Sequence, residues 1–91
     1  MKIKVYYDKN LKMSEGKLAA QVGHVCKELG RVTGSIPETD VIIVLGVSAR
    51  QFNLKKDSTV ESKRYHYVQC DGGYTEVKKG TITCFGYIEE V

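Results

Sequence analysis

Histidine is scarce in this chain of 91 residues, with His24 and His66 its two examples. Three cysteines, Cys26, Cys70 and Cys84, stand far apart. Soft ligands so few and so widely spaced do not make a zinc site, and an odd number of cysteines with no close pair gives no disulfide framework. All three cysteines are expected to be buried free thiols, in a reducing, cytoplasmic setting. Long apolar runs are missing too. The longest, Val41 to Leu45, is far too short to cross a bilayer. The opening MKIKVYYDK alternates lysine with apolar residues and lacks the apolar stretch of a signal peptide, so no membrane role is expected. Repeats and low-complexity tracts are absent. The phosphate-loop pattern is not met by Ser14-Glu15-Gly16-Lys17 or by the turn Asp71-Gly72-Gly73. Nothing in the residues requires a metal or cofactor. A second domain has no room in this length.

What remains is an ordinary globular balance with a mild basic excess, 14 Lys and Arg against 11 Asp and Glu. That excess suits an anionic partner without requiring one. Residues 2–7 read as a strand, with Ile3, Val5 and Tyr7 on one side and Lys2, Lys4 and Tyr6 on the other. The spacing then predicts a helix over 15–29, with Ser14 as N-cap and Gly30 as the stop. Gly23 inside it fits either a close approach of backbone or ligand, or chance. The β-branched run 41–47 reads as a central strand buried on both faces. Over 48–64 the apolar stripe is poor, and one irregular helix or two short ones are expected. Strands at 65–70 and 81–88 follow, joined through Asp71-Gly72-Gly73, a short extended piece at 74–77 and the turn Lys78-Lys79-Gly80. The element order is β-α-β-α-β-β. It implies a single small α/β domain over residues 1–91 with a mixed sheet, parallel through the crossovers and antiparallel at the last pair.

Within the first helix, Leu18, Val22, Val25, Cys26 and Leu29 form one apolar arc, while Lys17, Gln21, His24 and Glu28 form a separate polar stripe. A solvated stripe is what most surface helices show. Here, however, the helix starts just beyond a strand, where open α/β sheets bind ligands. Asp71 holds the comparable place after another strand, although a turn aspartate often does no more than cap its own loop. Gly72 and Gly73 can aim backbone amides at an anion. Thr75 and Thr83 are, taken alone, ordinary strand residues. Tyr6 and Tyr74 could stack on a base or simply fill a core.

Two blocks of sequence resemble the signatures of the archaeal and eukaryotic type of peptidyl-tRNA hydrolase. The first is Leu11-Lys12-Met13-Ser14-Glu15-Gly16-Lys17-Leu18-Ala19-Ala20-Gln21-Val22-Gly23-His24. The second is Asp71-Gly72-Gly73-Tyr74-Thr75-Glu76-Val77, followed by Gly80-Thr81-Ile82-Thr83. They stand in the family's order, each opening after a strand. The resemblance implies a mixed four-stranded sheet with flanking helices, no cofactor, a cytoplasmic enzyme and often a homodimer. The implied reaction is hydrolysis of the ester between a peptide and the 3′ end of tRNA. Carried over, Lys17 is the active-site lysine, Asp71 its aspartate, and Thr75 and Thr83 the hydroxyl residues. Gln21 and His24 match helix positions facing the same cleft.

On that resemblance, Lys17 stabilises the oxyanion or holds phosphate, and Asp71 orients the lysine or takes a proton from water. His24 is a further candidate base, because imidazole ordinarily titrates nearest neutrality. Lys9, Lys12, Arg31, Lys78 and Lys79 are expected to meet the tRNA backbone, in contacts that salt weakens. Three departures stand out: Glu15 where the family usually has lysine, Gly72 for alanine, and a shorter chain both before the central strand and after the last one. One face of the sheet is therefore expected to be thinly covered. These departures keep two other functions open, a non-catalytic relative that binds tRNA or a protein, and an assembly subunit that uses the uncovered face.

Overall fold

The structure is a computed structural model and describes residues 2–34, 41–73 and 77–89. Its order is strand β1 (Lys2–Asp8), a 3-10 turn (Lys9–Leu11), helix α1 (Glu15–Thr33), strand β2 (Val41–Val47), helix α2 (Ala49–Ser62), and strands β3 (His66–Cys70) and β4 (Ile82–Glu89). The four strands form one mixed sheet in the order β2-β1-β4-β3. β1 runs parallel to β2 and antiparallel to β4, and β3 is antiparallel to β4. β1 and β3 therefore point the same way, and their carboxyl ends share one edge of the sheet. A register shift between Gln69 and Cys70 breaks the β3–β4 ladder at that edge.

Alternation along β1 places Ile3 and Val5 in the main core, with Val25 and Leu29 of α1 and Cys84 and Ile88 of β4. The helix sits close on β4 because residue 86 is glycine. A Cβ there would lie 2.6 Å from Val25 Cγ1 and 3.0 Å from the Lys4 carbonyl oxygen. On the other face, Phe52 of α2 meets Phe85 at 5.2 Å between ring centroids, and Phe85 stacks on Tyr6 at 5.4 Å. The amphipathic helix and the aromatic cluster thus cover opposite faces.

Several expectations need correcting. α1 does not stop at Gly30. It continues to Thr33 and ends at Gly34, whose φ of 80° is a conformation that glycine adopts without a side-chain clash. The Arg31–Glu28 pair at 2.8 Å and the Thr33 hydroxyl, donating to the Leu29 carbonyl at 3.0 Å, support the extra turn. Residues 49–62 form one regular helix, because its poor stripe needs to bury only Phe52 and Thr59. β2 is not central. It is an edge strand, with Val41, Ile42, Val44 and Leu45 between 39% and 52% exposed. The apolar run signalled two apolar faces, yet α1 packs over β4 and β3 rather than over β2. Of the thiols, Cys84 is buried, Cys26 partly so, and Cys70 exposed. No side chain crowds Gly23, where a Cβ would meet nothing within 4 Å. Most of the extended piece expected at 74–77 lies outside the described residues. Among the described residues no helix is long and apolar enough to cross a membrane.

Candidate active site

α1 begins at the sheet edge where β1 and β3 end. Its start is fixed by Ser14, whose hydroxyl accepts from the Lys17 amide at 3.2 Å. Lys17 and Gln21 are one turn apart and point together toward the end of β3. There Asp71 is 5% exposed. Its backbone is held on both sides: its amide donates to the Thr81 carbonyl and its own carbonyl accepts from the Gly80 amide, each at 2.9 Å.

The carboxylate collects three donors. Lys17 Nζ donates to Oδ1 in an ion pair. Gln21 Nε2 donates to the same oxygen at 2.8 Å, and the Gly73 amide donates to Oδ2 at 2.6 Å. The Lys17 hydrogen bond is the main cause that holds the Asp71 carboxyl below the usual aspartate range. Gly73 turns back with φ 81°, and a Cβ there would come within 2.6 Å of Lys79 Cβ, so the turn requires glycine. Gln21 is itself buried, and with its amide nitrogen engaged by Asp71 its Oε1 has no partner among the described residues.

This cluster opens into a cavity of about 320 Å³, lined by Lys17, Gln21, His24, Gln69, Cys70 and Asp71 together with Ala20 and Gly72. An ammonium has three N–H groups, and Asp71 takes only one, so Lys17 keeps donors for an anion or a polarised carbonyl. His24, exposed on α1, forms part of the wall.

The other expected residues fall in different places. Thr83 does not line the cavity. It is fully buried in β4, and its hydroxyl donates to the Gln69 carbonyl at 3.5 Å, beside the register shift. Tyr74 and Thr75 lie outside the described residues. Lys78 and Lys79 are exposed on the turn that closes against Asp71 and Gly73. Lys9 and Lys12 are exposed at the 3-10 turn after β1, at the same sheet edge. Arg31 is bonded to Glu28 some four turns along α1 from Lys17, about 21 Å by helix rise. The Gly73 amide, expected to be aimed at an anion, is aimed at the Asp71 carboxylate, and the Gln69-Cys70 wall was not foreseen. The Asp71-Gly72-Gly73 turn was the signal for the first, and no sequence signal marks the second.

Among the described residues there is no group of three or more His, Cys, Asp and Glu side chains placed to hold a metal. No curated protein matches the chain. A family model, described as peptidyl-tRNA hydrolase PTH2, matches residues 1–88. A match over nearly the whole length joins the fold and the Lys17–Asp71 cluster in one assignment: the chain belongs to the peptidyl-tRNA hydrolase PTH2 family.

Proposed function

We propose that the chain hydrolyses the ester joining a peptide to the 3′ end of tRNA, with the Lys17–Asp71 cleft as its active site. The observation that carries this reading is a buried, ionised Asp71 fixing Lys17 at the mouth of a cavity, in a chain of that family. The ester is already reactive, so the protein has to place water, polarise the carbonyl and handle the leaving hydroxyl.

The Lys17 ammonium stabilises the negative charge that develops on the ester carbonyl oxygen. Asp71 acts by orienting Lys17. A carboxylate held below its usual range by three donors is a poor acceptor for a proton from water. Gln21, donating to the same Asp71 oxygen as Lys17, holds the carboxylate from a second side. His24 takes the proton as water adds to the carbonyl carbon. It returns that proton to the 3′ oxygen as the carbon–oxygen bond breaks, leaving a peptide acid and a free tRNA 3′ hydroxyl. Lys9, Lys12, Lys78 and Lys79 meet the RNA backbone around the cleft, and the family resemblance assigns Tyr74 and Thr75, which lie outside the described residues, to the same substrate. Thr83 positions the end of β3 from beneath.

The test is multiple turnover of a defined peptidyl-tRNA by the wild type, Lys17→Met and Asp71→Asn. Each variant is expected to lose about a hundredfold or more in kcat/KM while its circular dichroism is retained. Full activity in both folded variants would overturn the assignment. Tight tRNA binding by the wild type without turnover would favour a binding-only relative.

A further inference from the structure

A second groove lies on the opposite face of the sheet, between α2 and the strands. It has a volume of about 370 Å³, and no acidic residue lines it. Lys55 and Lys63 stand along it, accompanied by the hydroxyls of Ser58 and Ser62. Lys55 Nζ lies 5.3 Å from the centroid of Tyr6, and Lys63 Nζ lies 5.0 Å from that of Tyr87. Both lysines are half-buried, and neither is within ion-pair distance of a carboxylate among the described residues. The nearby acids are occupied or outward: Glu89 pairs with Lys4 at 3.4 Å, Asp57 is drawn to Lys56 at 3.8 Å, and Glu61 is exposed. A smaller depression shares Ser62 and Lys63 and adds Arg64, itself 5.1 Å from the Tyr65 ring.

Cations laid on aromatic faces keep their charge while their stems are held in place. The cations run through two adjoining depressions, Lys55 and Lys63 in one and Lys63 and Arg64 in the other, a row that a repeating phosphate chain can follow. The groove is also concave, which suits a strand better than a flat lipid surface. We propose that this groove binds the phosphate backbone of RNA, as a contact separate from the Lys17–Asp71 cleft. No histidine, cysteine or carboxylate lines the groove, and the proposal is one of binding alone. Its connection with the proposed function lies only in the choice of tRNA as the RNA.

The experiment measures binding of deacylated tRNA across a salt series to three proteins: the wild type, the double variant Lys55→Gln/Lys63→Gln, and a control, Lys27→Gln/Arg50→Gln. The control removes the same charge from exposed positions that do not line the groove. The groove variant is expected to bind about tenfold more weakly at low salt, with the slope of log affinity against log salt reduced by about 1.5. The control is expected to keep the wild-type slope. Equal losses in both double variants would reduce the effect to net charge and overturn the proposal. So would wild-type affinity in the groove variant, or no binding of tRNA by the wild type. Binding of anionic vesicles but not tRNA, lost in the groove variant, would hand the groove to a membrane and also overturn it. Turnover by the wild type with groove-independent binding sinks the groove alone. Groove-dependent binding without turnover sinks the hydrolase reading alone.

Discussion

Protonating Asp71 would set three donors against a neutral acid in a nearly closed site. Its folded carboxyl lies below the ordinary value of 3.8, chiefly through the Lys17 hydrogen bond. The carboxylate therefore contributes stability above that ordinary value, and the contribution is lost as pH falls through the lower folded value. Thermal melts between pH 2 and 6 should show this loss below about pH 4 in the wild type. In Lys17→Met the largest lowering cause is gone while burial still opposes the charge, so acid unfolding should start at higher pH. An unchanged acid midpoint would mean that the ion pair is not what holds the carboxylate. The thiols give a second residue-scale expectation. Burial pushes Cys84 up to about 12 and raises Cys26, while Cys70 is exposed. A thiol reagent near pH 8 should modify Cys70 first and reach Cys84 only on unfolding, as peptide mass spectrometry would record. Much of the cleft was legible at this scale. Spacings of four and three put Lys17, Gln21 and His24 on one stripe, and the turn after a strand marked Asp71. The exposure of Cys70 was not legible, because it depends on where the last residue of β3 leaves the sheet.

At the scale of elements, helix α1 carries Lys17 and Gln21 to the end of β3, so its height above the sheet sets the site. That height depends on Gly86. In Gly86→Ala the new methyl would meet Val25 Cγ1 and the Lys4 carbonyl, forcing α1 outward. The expected cost is about 1–3 kcal/mol, a drop in Tm of several degrees for a chain of this size. Combining it with Val25→Ala should cost less than the sum of the two single changes, because the truncated side chain removes the closest clash. Additive losses in denaturant titrations would show that the contact is not the cause. The elements themselves were readable from periodicity and caps. Ser14 accepts from the Lys17 amide, as its position suggested, and Ser48 caps the second helix in the same way through the Gln51 amide. Boundaries and rank were harder. Gly30 resembled a stop, but a second glycine four residues later, with a bonded Thr33 before it, makes the better one. The strand 41–47 looked central because an apolar run reports the polarity of its two faces and says nothing of how many strands flank it.

Across the whole molecule, the same strand leaves an uncovered border. β2 contains no charge, proline or bulge, and its outer backbone groups have no neighbouring strand among the described residues. Beside it, Leu18, Val22, Ile42 and Val44 line an apolar groove of about 520 Å³. Natural edge strands ordinarily carry a device against pairing with another chain. Here the opposing influence is the net charge of +3, which sets copies of the chain in mutual repulsion at neutral pH. That repulsion vanishes near the isoelectric point of about 8.8. Sedimentation under reducing conditions and low salt should therefore show more self-association near pH 8.8 than at pH 7. Ile42 is the most exposed apolar residue of β2 at 52%, and Ile42→Thr changes its polarity without changing charge or strand preference. That variant should associate less at both pH values, whereas Lys27→Gln, which lowers the charge away from the strand, should associate more at pH 7. A single hydrodynamic size for all three proteins at both pH values would show that the border is covered in some other way and that charge does not guard it.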